Sequence, residues 1–462
     1  MAEKSAIPVE LGTEKISRLL KQYALPAIIA QTASSLYNMV DSIFIGQGVG
    51  PLAISGLAVT FPLMNLSTAF GTLVGAGAAT MLSVLLGQKN YKAANKVLGN
   101  VVTLNTIIGL AFMAVALIFI DPILYFFGAS ENTLPYAKEY ISIILIGNVI
   151  THLYFGLNAA MRSSGHPKKA MALTIFTVVF NTILDPIFIF VFDMGIAGAA
   201  WATVIAQTVA MILVMKHFSD RSRAFHFEKG IFRLDMRVAK DSLTIGMGPF
   251  LMNTAACLVT LFINQQLRDY SGDLGIGSYG ICNRFIFMFI MICMGLNQGM
   301  QPIAGYNYGA KQYSRVKEVF WMTAKFGTIV TTICFCIGMF TPRLAAGIFT
   351  HDEALLNMSA EGMRILTIGF PIVGFQMIGT NFFQCLGMVK KSIILSLSRQ
   401  LLFLLPLLYC LPLWMGANGV WMSFPISDVL SAILTAILLR RLFKKFNTLK
   451  DGEESTILGS NL

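Results

Sequence analysis

The sequence predicts an all-α membrane protein: twelve transmembrane helices in two pseudo-symmetric six-helix lobes. Composition is the first of three observations behind this reading. Of 462 residues, 55% are hydrophobic and 12% charged, with a mean hydropathy of +0.69, whereas soluble domains carry about 25% charged residues. So few charges cannot cover a soluble surface. The other two observations are a series of apolar runs of spanning length and an internal repeat.

The apolar runs fall at 22–46, 52–86, 97–120, 134–161, 170–192, 196–215, 240–267, 276–303, 318–341, 355–386, 392–412 and 417–439, each meeting the ~20-residue need of a membrane-crossing helix. The run at 52–86 is long enough to tilt or to extend beyond the bilayer. Glu3, Glu10 and Glu14 precede the first run without a cleavable-signal pattern, so the first span is expected to remain in the mature protein.

Most of the 34 Lys and Arg sit in the N-terminal segment and in the connections at 89–96, 162–169, 216–240, 311–317 and 390–391 and the C-terminal tail. These are alternate connections, so the positive-inside rule puts both termini in the cytoplasm, with the protein in the inner (cytoplasmic) membrane. The net charge of +11 is therefore topological, and no nucleic-acid partner is expected. Seven Cys lie inside apolar stretches without metal-ligand spacing, which argues against a disulfide framework and a metal site.

The repeat sets the architecture. Gly87-Gln-Lys-Asn-Tyr91-Lys matches Gly309-Ala-Lys-Gln-Tyr313-Ser at an offset of 222, and Gly165-His-Pro-Lys168-Lys169 matches Gly387-Met-Val-Lys390-Lys391 at 222. Gly195-x-x-Gly198 matches Gly416-x-x-Gly419 at 221. Six spans per half bring both halves in from the same side, so the pseudo-two-fold runs along the membrane normal. The expected divisions are an N-terminal lobe at 1–215, a basic cytoplasmic linker at 216–239 and a C-terminal lobe with its tail at 240–462.

A charge at the centre of a membrane helix costs about 2.5–3.5 kcal/mol on insertion scales, which singles out Asp41, Asp185 and Asp428. Asp41 and Asp185 lie six to seven residues from the outer ends of the first and fifth runs, about 10 Å deep at 1.5 Å per residue. Asn181 is one helical turn from Asp185 on the same face, and Thr203 and Tyr140 reach a similar depth on the sixth and fourth runs. These five side chains are expected to form a cation-coupling site. Two neighbouring carboxylates in low dielectric cannot both stay ionised cheaply, so one is expected to exchange a proton. The same hard oxygens of Asp41, Asn181, Asp185 and Thr203 could equally hold Na⁺. A purely structural lattice of hydrogen bonds is the competing reading.

The second lobe differs: the counterpart of Asp41 is Asn264, and residues 403–407, which match Asp185, contain no acid. Asp428 is placed to pair with Arg399, as a helix-holding salt bridge or as a second ion site. Pro26 removes a backbone hydrogen bond four turns before Asp41 and is a candidate hinge. Tyr37, one turn before Asp41, is a candidate substrate-cavity contact. His152 is the one histidine within a run. Phosphate-cradling, zinc-protease and nucleophile-elbow motifs are absent from the sequence, so the expected protein is not an enzyme, has no cofactor and draws on an ion gradient.

Leu36-Tyr-Asn-Met-Val-Asp41-Ser-Ile-Phe-Ile-Gly46, Gly56-Leu-Ala, Gly87-Gln-Lys-Asn, Arg162-Ser-Ser-Gly165-His-Pro-Lys168, Asn181-x-x-x-Asp185-Pro186 and Gln384-Cys-Leu-Gly387 together resemble the multidrug and toxic compound extrusion (MATE) family over nearly the whole chain. The resemblance implies paired six-helix bundles that export amphiphilic, often cationic small molecules in exchange for H⁺ or Na⁺. It places the N-lobe cation roles on Asp41, Asn181, Asp185 and Thr203. NorM-type members carry an acid in the seventh helix, whereas residues 247–264 have none. The chain is thus more similar to the MepA-like and DinF-like branches, and a C-lobe Na⁺ site of the NorM kind is not expected. The expected partners are small-molecule substrates and the lipid bilayer, with no obligate protein partner. The alternatives are a flippase for lipid-linked saccharide precursors, whose cavity cations would be Arg284, Lys325, Arg364 and Arg399, and a channel.

Overall fold

The computed structural model describes residues 8–453 apart from 229 and 231. Among them the spans are all helices, joined by turns and by a non-helical stretch at 220–235, as hydrocarbon demands: a membrane helix satisfies its own backbone N–H and C=O groups. The spans are α1 (Ile16–Gly48), α2 (Pro51–Gly87), α3 (Tyr91–Ile118) and α4, which is broken into Leu134–Ile146 and Asn148–Ser163. Then come α5 (Pro167–Pro186, continued by a π-helical turn, Ile187–Val191), α6 (Gly195–Ser219), α7 (Met236–Gly272) and α8 (Leu274–Gly309). The last four are α9 (Tyr313–Phe340), α10 (Glu353–Thr367 and Phe370–Cys385), α11 (Val389–Met415) and α12 (Ala417–Phe446). Nine of these are singly long and apolar enough to cross a membrane, and α4 and α10 do so as bent pairs. α1 makes twelve: its 33 residues span about 50 Å.

The expected runs at 134–161 and 355–386 prove to be the broken helices, bent by 53° and 55°. The long second run is a single helix of 37 residues. α1 passes through Pro26 as unbroken helix.

The repeat is written into the backbone. Lys89 and Lys311 both sit at φ 59°, and Gly165 with Gly387 and Gly195 with Gly416 are likewise left-handed at matched turns. Three pairs of positive-φ residues at the offsets of the sequence repeat mean that the two halves use the same turns between the same spans.

Contacts divide the chain into two compact units. One comprises the residues up to Thr13 with 29–250, the other Glu14–Ile28 with the residues from Leu251 onward. α1 and α7 therefore each contribute to both units. In the first, α2 and the start of α7 meet through glycines: a Cβ on Gly77 would collide with the Ser242 carbonyl, and one on Gly246 with that of Leu73. In the second, Gly299 lies on Ala24 and Gly295 on Ile28 of α1 in the same way. Gly77 and Gly299 are again 222 apart. Such close approach is how helices gain packing energy where lipid removes the hydrophobic drive.

The basic linker is folded onto the first unit. Asn95 Nδ2 donates to Glu228 Oε1 (2.9 Å), Thr103 Oγ1 to the Phe232 carbonyl (2.8 Å) and the Asp235 amide to Asn100 Oδ1 (3.1 Å). In the second unit the tail makes the matching strap: Ser314 Oγ donates to Asp451 Oδ2 (2.6 Å) and the Gly452 amide to the Lys311 carbonyl (2.9 Å).

Candidate functional site

The acidic and polar residues expected from the sequence gather in the first unit. Asp41 comes from the C-terminal part of α1, Asn181 and Asp185 from the end of α5, Thr203 from the start of α6, and Tyr140 from the first half of α4. Asp185 is 0% exposed, Asn181 and Tyr140 2%, and Asp41 6%. The two carboxylates lie within electrostatic reach of each other, and Tyr37 and Tyr140 within reach of both.

Hydrogen bonds fix how the neutral members point. Thr203 Oγ1 donates to the Ala199 carbonyl (3.1 Å), so its lone pairs face inward. They meet the Tyr37 hydroxyl (3.1 Å) and Asn181 Nδ2 (3.2 Å). Asn181 Nδ2 also donates to Tyr37 Oη. With both amine hydrogens committed, the amide carbonyl is turned the other way.

Asn181 Oδ1, Asp41 Oδ1 and both oxygens of Asp185 are buried without a hydrogen-bond partner among the described residues. All are acceptors. A buried carboxylate is normally paired, because leaving it bare costs several kcal/mol, and a proton or a small hard cation is the positive species that suits an all-acceptor set. The oxygens suit either. No cluster of three His, Cys, Asp or Glu occurs among the described residues, which leaves amide and hydroxyl oxygens to complete any coordination.

Local sequence explains the shape. Pro186 follows Asp185 directly, removes a backbone donor and hands α5 over to the π turn, where the Phe192 amide bonds the Ile187 carbonyl (3.0 Å). Wide turns of this kind are frequent at functional sites. Ile45, Ile189, Ile196 and Leu57 pack around Tyr140 and make the surroundings apolar.

Residues 26–187 and 246–410 match the model of the MatE family. The chain belongs to the MATE family. It is similar to the multidrug export protein MepA of Staphylococcus aureus (strain MRSA252), 28% identical over 429 residues that span 92% of this chain and 94% of that protein. MepA of Staphylococcus haemolyticus (strain JCSC1435) is 26% identical over 424 residues, 92% of this chain and 93% of its own. Among solved structures, the MATE multidrug transporter DinF-BH, solved as a complex, is 36% identical with a TM-score of 0.89, covering 97% of this chain and 100% of that one. An outward-facing multidrug resistance MATE transporter of the MOP superfamily shares the fold at a TM-score of 0.90 and 22% identity, over 97% and 100% of the two chains. Like other MATE proteins this is a multi-pass membrane transporter and not an enzyme, with relatives in both branches that its motifs resemble.

Tyr37, expected at a substrate cavity, has its hydroxyl inside the polar cluster. Arg399 Nε donates to Asp428 Oδ1 at 2.6 Å, with Asp428 1% exposed; the pair ties α11, at its π-helical stretch Ser398–Leu404, to α12. Sequence reasoning passed over one polar network. His152, 0% exposed, meets the Ser67 carbonyl through Nε2 at 2.8 Å, and Ser67 Oγ donates to Asn148 Oδ1. Gly71 and Gly109 make room for the imidazole. The available signal was Gly147, which precedes Asn148 and matches Gly369 at the repeat offset.

Proposed function

We propose that this MATE protein is a secondary active multidrug exporter that exchanges amphiphilic, often cationic small molecules against H⁺ or Na⁺ by alternating access. The four unpartnered oxygens around Asp41 and Asp185 carry the proposal. An acceptor-only pocket binds a cation when open to the high-cation side and releases it on the other. Linkage requires cation and drug to favour opposite states, since a ligand with equal affinity for both shifts nothing. Asp41, Asp185, Asn181 and Thr203 are the cation-binding residues in this reading, Tyr140 closes the pocket, and Tyr37 joins the pocket to the drug-facing cavity. Pro26 lies two residues before the point where α1 passes from one compact unit to the other and serves as a hinge. The lobes are taken as 1–215 and 240–462 with 216–239 between them, in the inner membrane with both termini cytoplasmic. Relatives named as multidrug export proteins and a solved relative named as a multidrug transporter support the drug class.

The test is export of a fluorescent lipophilic cation from cells lacking their own pumps, with ΔpH and the Na⁺ gradient varied separately. Export driven by one gradient and lost in Asp41→Asn is expected, and the gradient names the ion. A membrane-inserted wild type that exports no such cation would end the proposal and favour flipping of lipid-linked saccharides. Export unchanged in Asp41→Asn would move the coupling site elsewhere.

A further inference from the structure

α4 and α10 occupy matching places in the repeat, and each breaks at a glycine. Gly147 and Gly369 are 222 residues apart, the offset of the flanking motifs, and the breaks are nearly equal at 53° and 55°. Their chemistry is not. In α10 the second residue past the glycine is Pro371, whose missing N–H and bulky ring exclude a straight helix. The local hydrogen bonds there are the short kind, Ile368 amide to Ile365 carbonyl and Ile372 amide to Gly369 carbonyl. The bend in α10 is therefore built into the covalent chain.

The equivalent residue in α4 is Val149, which keeps its amide. Helical bonds run into and out of the break, Gly147 amide to Ile143 carbonyl and Thr151 amide to Gly147 carbonyl, both 3.1 Å. Side chains hold this bend instead. Asn148 accepts from Ser67 Oγ and donates to the Gly109 carbonyl (3.5 Å), while His152, one turn on, donates Nε2–H to the Ser67 carbonyl. A Cβ on Gly147 would lie 2.6 Å from a Val204 methyl on α6, beside Thr203. Two turns before the break stands Tyr140, within reach of both carboxylates. A bend held by side chains can open when those contacts are exchanged; at Pro371 the ring and the missing N–H stay whichever contacts change, so that break cannot close into straight helix, whereas α1 runs through Pro26 as continuous helix and is free to bend there.

We infer that the Gly147 bend is a reversible hinge by which occupancy of the cation site moves α4, with Ser67, Asn148 and His152 as the positioning residues that hold it bent, while the Gly369 bend stays fixed. This rests on the cation-coupled reading above.

The repeat supplies matched probes. Glu139 and Lys168 flank the α4 bend, and Glu361 and Lys390, each 222 residues further on, flank that of α10; all four are exposed. In the full-length protein in nanodiscs, with native cysteines replaced, spin labels at 139 and 168 are expected to change separation between low and high pH, or with Na⁺, while labels at 361 and 390 do not. Val149→Pro, which copies α10 into α4, should abolish that change. It should lower the maximal export rate roughly tenfold or more and leave apparent cation affinity within about twofold, a split that a merely damaged fold would not produce. Pro371→Val should export within about twofold of wild type. Equal movement at both pairs, a static α4 pair under both cations, or wild-type export by Val149→Pro would each overturn the hinge. A wild type that moves α4 but exchanges no drug would instead end the proposed function alone.

Discussion

At the scale of single residues, the site depends on what each neutral neighbour does with its hydrogens. Tyr37 accepts from Asn181 and donates to Thr203, which turns the Asn181 carbonyl away from both hydroxyls. Tyr37→Phe removes that anchor at a cost of about 1 kcal/mol in stability. It should weaken apparent cation affinity by roughly tenfold as Asn181 gains freedom to rotate. Cation titration of the purified variant measures this, and affinity equal to wild type would show that Asn181 is oriented by other contacts. Asp41 and Asp185 were legible in the sequence because ionisable groups inside apolar runs are rare. The hydrogen-bond partners of Tyr37 were not, since a tyrosine beside an acid on a helix carries no mark of which neighbouring helix its hydroxyl will meet.

At the scale of elements, helix ends and breaks carry the information. Asp235 caps the start of α7: the Val238 amide first, then the Arg237 amide and Lys96, hold its carboxyl below the usual carboxylate range. Its stabilisation is present above the unfolded value of about 3.9 and fades as pH falls through the lower folded value. Asp235→Ala should loosen the first turn of α7 by about 1 kcal/mol at neutral pH. Hydrogen exchange over residues 236–242 should show this difference at pH 7 and a smaller one near pH 3. An equal difference at both values would assign the effect to something other than the ionised cap. Most spans were readable from apolar length, yet both breaks were missed. An apolar run reads the same whether straight or bent, and Pro371 marks the bend in α10 while α4 has only a glycine.

At the scale of the molecule, neither half of the sequence holds a complete unit. Residues 236–250 of α7 belong with α2, and residues 16–28 of α1 with α8, through glycine contacts with no space for a side chain. A chain cut after Gly230 should accumulate poorly as either fragment alone and recover export when both are expressed together. Either fragment accumulating alone at the level of the intact chain would contradict this exchange of segments. The sequence by itself determined that the protein spans a membrane twelve times, that its halves repeat, and that two acids of the first half share a depth. Those properties follow from local chemistry: apolar length, turn glycines and the high cost of burying charge. Only the tertiary structure decided that α1 and α7 each serve both units, that Tyr37 belongs to the polar cluster, and that the two matching bends are held by different means. Each of these depends on which helix lies beside which, and small residues that permit close approach look alike in sequence wherever they end up.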